Sequence, residues 1–202
     1  AALHAPHVGH RPDQAFEAVN VEATGSLARL AAEAGVQSFV FTSTTALYGA
    51  GSTADTRAAW IDEATVPRPL TVYHRSKLAA EAVLESLARE TGLPVTVLRM
   101  ARCFPEPAPL MALYRLYRGV DVRDVADAHA IAATRPVPGW RRFIISGSTP
   151  FLPEDAGLLM SDAPEAIAKR CPALVEAFHR RRWTLPRSID RVYSPHAVAA
   201  AG

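Results

Sequence analysis

The sequence is poor in the features that would exclude or assign most functions quickly. Only two cysteines, Cys103 and Cys171, are present. They have no ligand-like spacing, so neither a disulfide framework nor a zinc site is expected, and a reducing cytoplasm is the expected setting. No apolar run approaches the ~18 residues of a membrane span, so no membrane partner is expected. No charged region precedes Ala1-Ala2-Leu3, so no signal peptide is expected. The first residue is not methionine, and the chain is expected to begin inside a longer one. Neither sign of charge dominates: 22 Lys and Arg face 20 Asp and Glu, for a net charge of +2. Such a balance gives no support to nucleic acid as the main partner. The one basic run, Arg180-Arg181-Arg182, is short and reads as a solvated helix end complementing the helix dipole. Internal repeats and low-complexity linkers are also lacking.

What is present is a chain of 202 residues, 49% hydrophobic, long enough for one sizeable core. Helical and strand patterns alternate, which predicts an α/β fold with a parallel sheet covered by helices. A helix is predicted over about 13–34, with Phe16, Val19, Leu27, Leu30 and Ala34 as its apolar positions and Gly35 as its stop. Gly25 inside it costs roughly 1 kcal/mol relative to Ala and points to close packing. A strand follows over 36–43, then a loop rich in small residues and proline from about 49 to 71. The next helix is predicted over about 73–91, stopping at Gly92. Val95-Thr96-Val97-Leu98 reads as a buried parallel strand. A third helix covers about 122–134, Phe143-Ile144-Ile145 forms another strand, and residues 163–182 form helices broken near Pro172. No element is predicted for 104–121, and the tail from Ala197 to Gly202 ends without one. Residues 1–150 and a smaller C-terminal region, 151–202, are expected to form one unit.

The strongest chemical signal is Tyr73-His74-Arg75-Ser76-Lys77. Residues at i and i+4 share a helix face. An ammonium beside a phenol favours the phenolate and is expected to lower the tyrosine pKa from about 10 towards neutrality. Such a phenol gives or takes protons near physiological pH. The same spacing also fits a plain surface pair. The preceding strand ends in the hydroxyl run Thr42-Ser43-Thr44-Thr45, and ligands of open parallel sheets bind at the carboxyl ends of strands. A hydroxyl there can polarise a substrate oxygen, although loop hydrogen bonding accounts for such residues equally well.

With these residues in order, the chain resembles the extended short-chain dehydrogenase/reductases, the NAD-dependent epimerase/dehydratase family. The resemblance rests on Leu3-His4-Ala5, which is similar to the end of a sheet strand, and on Asn20-Val21-x-x-Thr24. It continues through Phe41 to Gly49, Trp60-Ile61-Asp62-Glu63, Tyr73 to Glu81, Leu98-Arg99, and Asp121 to His129. It implies a Rossmann-like fold lacking its first strands, with a small C-terminal region on the substrate side. It implies NAD or NADP as cofactor and a small-molecule substrate, in most members a nucleotide sugar. Tyr73 would be the catalytic acid/base, Lys77 its pKa-lowering partner and a ligand of the nicotinamide ribose, and Thr44 the hydroxyl that orients the substrate oxygen. Ser43 is the alternative for that last role, because the register of the hydroxyl run is ambiguous. His4 and Ala5 would line the cofactor cleft, and Asn20 would lie near cofactor or substrate or would simply cap.

The departures from the family pattern bear on activity. No Gly-rich phosphate loop and no acidic or basic residue selecting NAD or NADP is found. Met100 stands where the family has proline, and the segment from Phe104 to Asp121 is short. A reductase of small carbonyl compounds, a non-catalytic dinucleotide sensor and an inactive fragment therefore stay open beside the epimerase/dehydratase. A homodimer stays open too. The 202 residues alone are expected to be inactive. Elsewhere, the histidines at positions 4, 7 and 10 read as a terminal cluster rather than a metal site, and His129 as a packed helix residue. Asp121 and Asp124 read as helix caps, and Arg115 and Arg118 as exposed. Trp140, Trp183 and Tyr193 are expected to pack the C-terminal layer.

Overall fold

The computed structural model describes residues 2–49 and 56–201. They fall into two compact units. The first takes the residues up to Gly49, Val66–Met100 and Ala126–Phe143; the second takes the segment ending at Thr65, Ala101–Val125 and the residues from Ile144 on.

The first unit carries the parallel sheet. Strand β1 (Phe39–Thr44) pairs with β3 (Val95–Met100) in register from Phe39 opposite Val95 to Thr44 opposite Met100, and β4 (Trp140–Ile145) lies on the far side of β3. The central β3 is buried along almost its whole length, as its unbroken apolar run requires of a strand covered on both faces. Helix α1 (Asp13–Phe16), a π-helical segment (Glu17–Glu22) and α2 (Ala23–Glu33) run without a break into the turn before β1. Helix α3 (Val72–Thr91) connects towards β3, and α5 (Val122–Thr134) precedes β4. Gly92 adopts φ 75° and closes α3 in the left-handed conformation that glycine reaches most cheaply. Ala28, Phe41, Ala80, Leu84, Leu87, Val95 and Val97 form the core between helices and sheet.

Three expectations fail here. The strand begins at Phe39 rather than residue 36: Gly35 takes φ 68°, the chain turns, and Val36 is exposed. The last strand begins at Trp140, and that indole packs on the α2–α3 core, not in a C-terminal layer. Apart from Phe16, the apolar stripe assigned to the first helix is also the wrong one. Val19, Leu27 and Leu30 face solvent, whereas Phe16, Asn20, Val21, Gly25 and Ala28 are buried. Small residues face α3 because the two helices touch: a Cβ on Gly25 would lie 3.0 Å from Cγ1 of Val83.

The second unit has its own parallel pair, β2 (Ala59–Ile61) with β5 (Arg191–Tyr193). Around it stand α4 (Ala108–Tyr117), α6 (Ala156–Ser161), α7 (Ala163–Arg170), α8 (Pro172–Arg181) and α9 (His196–Ala201). Phe151, Leu159, Ile167, Phe178, Ile189 and Val192 form its core, with Trp183 packed against it. Helix α4 fills the span left without an element, and α9 occupies the tail read as irregular. The break before Pro172 is real, and Asp162 caps α7 by accepting from the Glu165 amide at 3.1 Å.

Gly49, just past the hydroxyl run, has φ 68° and ψ −137°, and a Cβ there would sit 2.1 Å from the Arg68 carbonyl oxygen. Backbone cannot give way cheaply. Gly49→Ala is therefore expected to destabilise the chain by roughly 2 kcal/mol or more, read as a lowered urea midpoint at unchanged slope.

Candidate active site

All candidate residues except Asn20 and those of the N-terminal turn are set by two elements, the end of β1 and the first three turns of α3. Tyr73, Lys77 and Glu81 follow one another at four-residue spacing along the helix face that meets the sheet. Alternation along β1 sends Ser43 to one side and Thr42 and Thr44 to the other. Thr44 stands near enough to Tyr73 to favour its phenolate, and it accepts from the Ala46 amide at 3.1 Å, capping the 3-10 turn Thr45–Tyr48. Lys77 Nζ donates to the Thr42 carbonyl at 2.6 Å and lies 4.0 Å from the centroid of the Phe41 ring. The structure thus brings Thr44, Tyr73 and Lys77 together and turns Ser43 away. Ser43 is buried and donates to Glu81 Oε1 at 2.5 Å.

Beneath this face lies an ion pair that composition gave no reason to expect. Arg99, on β3, is 0% exposed. Its Nη2 meets Glu81 Oε2 at 2.6 Å, its Nε lies 3.1 Å from Oε1, and its Nη1 donates to the Tyr48 hydroxyl at 2.7 Å. The signal for it in the sequence is an arginine inside an apolar strand, and a glutamate one turn beyond Lys77 on the buried face.

The protonation states differ from the expectation. The Tyr73 phenol is pushed up from its ordinary value by burial, and the neighbouring Thr44 hydroxyl offsets this only in part. Lowering by Lys77 does not win because the amine is itself buried and turned to the Thr42 carbonyl. Burial brings Lys77 down to about 8, against the opposing pull of Glu81. Burial thus outweighs the lowering influence on the phenol.

Asn20 sits in the π-helical segment, 2% exposed, with both amide hydrogens and its oxygen engaged. Its Oδ1 accepts from the Leu3 amide at 2.8 Å, and its Nδ2 donates to the Leu3 carbonyl at 2.8 Å and to Ser76 Oγ at 2.9 Å. Ser76 in turn donates to the Tyr73 carbonyl at 3.0 Å. Asn20 therefore ties the N-terminal segment to the helix that carries Tyr73. Leu3 is held by this side chain and not by a strand ladder, contrary to its expected strand character. His4 and Ala5 follow it at the surface, in and before the 3-10 turn Ala5–His7, with the His4 ring edge-on to His7 at 4.6 Å.

The remaining candidates have ordinary partners. His129 lies 2.8 Å from Thr42 Oγ1. Asp121 accepts from the Arg123 amide at 3.0 Å at the start of α5 and pairs with Arg115 at 3.2 Å. Arg118 stacks on Tyr114 at 4.8 Å. Among the described residues no group of three or more His, Cys, Asp and Glu could hold a metal ion, and no helix is long and apolar enough to cross a membrane.

Comparison with known proteins gives the family. A family model described as the NAD dependent epimerase/dehydratase family matches residues 1–107, and the chain belongs to that family. It is 30% identical over 104 residues to an uncharacterized UDP-glucose epimerase, YtcB, of Bacillus subtilis (strain 168), which is 51% of this chain and 31% of that protein. It is 33% identical over 89 residues to the dTDP-D-glucose 4,6-dehydratase of Mus musculus, which is 44% of this chain and 24% of that protein. The chain thus spans 31% and 24% of the lengths of these curated relatives. Among solved structures it resembles a UDP-glucuronic acid 4-epimerase from Bacillus cereus in complex with UDP-glucuronic acid and NAD. There the TM-score is 0.62 at 18% identity, covering 100% of this chain and 66% of that one. A UDP-glucose 4-epimerase from Thermotoga maritima with UDP-glucose gives 0.58 at 22%, covering 96% and 62%. These likenesses establish the fold as the Rossmann-like parallel sheet covered by helices.

The chain contains two lysines, Lys77 and Lys169. In a carbon-13 methyl-labelled sample made by reductive dimethylation or in a lysine-labelled one, Lys77 is expected to titrate near pH 8. The more exposed Lys169 serves as internal reference. A Lys77 midpoint above about 10, the ordinary lysine range, would show that its burial does not govern its charge.

Proposed function

We propose that these residues form the catalytic part of an NAD-dependent epimerase or dehydratase acting on a nucleotide sugar. The observation that carries this reading is the placement of Thr44, at the end of β1, beside Tyr73, with Lys77 one turn further along the same helix face. The family and the nucleotide-sugar enzymes among its relatives support the substrate class.

In this reading Tyr73 takes or gives the proton of a substrate hydroxyl, and Thr44 holds that oxygen beside it. The raised phenol is suited to stay protonated until substrate and cofactor arrive. Lys77 uses one N–H on the Thr42 carbonyl, and its ammonium keeps two more donors for the ribose of a nicotinamide nucleotide. The residues present therefore fit the nicotinamide half of NAD, which when bound supplies the hydride-accepting ring. His4 and Ala5 border that half. Asn20 acts through position, by fixing Leu3 against Ser76, since both of its amide hydrogens and one acceptor site of its oxygen are already used within the chain. Residues 1–150 carry the cofactor and the chemistry, residues 151–202 belong to the substrate side, and the cytoplasm is the working compartment.

In the active enzyme, Tyr73→Phe is expected to lower kcat by about 10²–10⁴-fold with cofactor affinity nearly unchanged, while Lys77→Ala lowers both. Near wild-type kcat in Tyr73→Phe would remove the assignment. These 202 residues contain no Gly-rich turn to present backbone N–H groups to a pyrophosphate. Fluorescence titration of the 202-residue chain with NADH is therefore expected to show weak, non-saturating binding, and saturation at low micromolar concentration would show that the pyrophosphate is held elsewhere in the chain.

A further inference from the structure

Between the hydroxyl run and α3 the chain reads Val66-Pro67-Arg68-Pro69-Leu70, a strap with prolines at alternate positions. Proline has no N–H, so within the stretch from Pro67 to Leu70 only Arg68 and Leu70 can donate from the backbone. Both donors are used. The Arg68 amide donates to the Leu47 carbonyl at 2.9 Å, in the turn that follows Thr44. The Leu70 amide donates to Nδ1 of His74 at 3.2 Å, on the first turn of α3. The strap thus joins the element that positions Thr44 to the element that positions Tyr73. Packing contributes little to it, since Val66 is 75% and Leu70 64% exposed. Its hydrogen bonds hold it in place.

His74 occupies an unusual place in that connection. Thr71 caps α3 by accepting from the His74 amide at 3.3 Å. In the common reciprocal arrangement a Glu or Gln three residues on accepts the amide of the cap residue itself. Here the third residue is histidine, and its ring reaches one residue further back, to Leu70. The ring also stands edge-on to Tyr73, with centroids 5.7 Å apart. An Nδ1 that accepts must be unprotonated, so the proton of the neutral ring lies on Nε2; in the cation both nitrogens donate, and Nδ1–H would face the Leu70 N–H.

We propose that His74 is a positioning residue whose neutral ring latches the Val66–Leu70 strap to α3 and so keeps Tyr73 within reach of Thr44, and that acid releases the latch. The proposal rests on the reading of Tyr73 as the acid/base. The charges around the ring agree in sign. Arg75 lies beside it on α3, Asp13 of α1 is drawn to Arg75 at 3.7 Å rather than to the imidazole, and Arg68 is on the strap. Burial first, and Arg75 second, hold His74 below the ordinary histidine value. The latch is therefore intact above about pH 6.5, the value of a free histidine, and is lost as pH falls through the lower value in the folded chain.

The test is amide exchange and histidine nitrogen shifts in the labelled 202-residue chain, with no cofactor present. At about pH 7.5 His74 is expected as the Nε2–H tautomer with Leu70 protected, and at an acid pH where its own nitrogen shifts show the ring protonated that protection is about tenfold lower after correction for intrinsic exchange. His74→Gln, which keeps an acceptor, retains protection at both pH values, and His74→Phe loses it at both. The Tyr73 phenol, assigned by its absence in Tyr73→Phe, titrates lower in His74→Phe as water enters, and is unmoved in His74→Gln. An Nδ1–H tautomer, or Leu70 protection indifferent to acid and to His74→Phe, overturns the latch. Neither result involves turnover, so failure here leaves the role of Tyr73 to its own kcat test, and an active Tyr73→Phe enzyme would remove the chemistry without altering the exchange pattern.

Discussion

The face of α3 that carries Tyr73 and Lys77 is held against the sheet by the Arg99–Glu81 pair, which water does not reach. Two charges removed from water cost several kcal/mol each, and attraction between them repays that only when geometry is close and the remaining donors and acceptors are used. Here both conditions hold. The guanidinium spends its fork on Glu81 and Tyr48, and the carboxylate receives Ser43 as well. Loss of one partner alone would strand a buried charge, at a cost of about 3–5 kcal/mol. Because Glu81 continues the stripe of Tyr73 and Lys77, a shift of this pair would move the whole stripe. The network also reaches β1 through Ser43 and the following turn through Tyr48. One buried interaction therefore fixes the three pieces of chain that place Thr44, Tyr73 and Lys77.

A second set of contacts works at the helix start and along its exposed flank. Asn20 joins Leu3 to Ser76, and the strap joins Leu47 to His74. These are neutral hydrogen bonds, buried at Asn20 and exposed at the strap, each worth about 1 kcal/mol net. The division is physically sensible. The distance between helix and sheet is set by strong buried charge, while the orientation of the first turn is left to bonds that a ligand or a proton can outweigh.

Much of this was legible in the sequence, for identifiable reasons. Four-residue spacing placed Tyr73 and Lys77 on one face, Gly92 marked the end of α3, and the apolar run at Val95 marked the central strand, because each depends on local geometry alone. Val36 was misplaced because Gly35 turns the chain before the strand can start. Helix α4 and strands β2 and β5 were missed because short segments rich in proline and aromatics carry no clear period. The register between Ser43 and Thr44 stayed open until the pleat was known. The direction of the Tyr73 shift could not be read from spacing, since it follows from burial, a tertiary property.

The misread stripe of the first helix has one cause, and it reaches further than burial. From Phe16 to Ala28 is twelve residues, which in a regular α-helix would leave their side chains roughly 120° apart. Both are nonetheless fully buried. The wider turns of Glu17–Glu22 absorb the surplus and act as a vernier between two amphipathic halves. The half that carries Asn20 and the half that carries Gly25 can each keep their own pattern, and neither need be regular with respect to the other. Removing one residue from this segment would restore an ordinary helix and its hydrogen bonding, yet would turn Asn20 away from both Leu3 and Ser76. Regularity of the helix and anchorage of the N-terminal segment are thus alternatives, and the chain has taken the second.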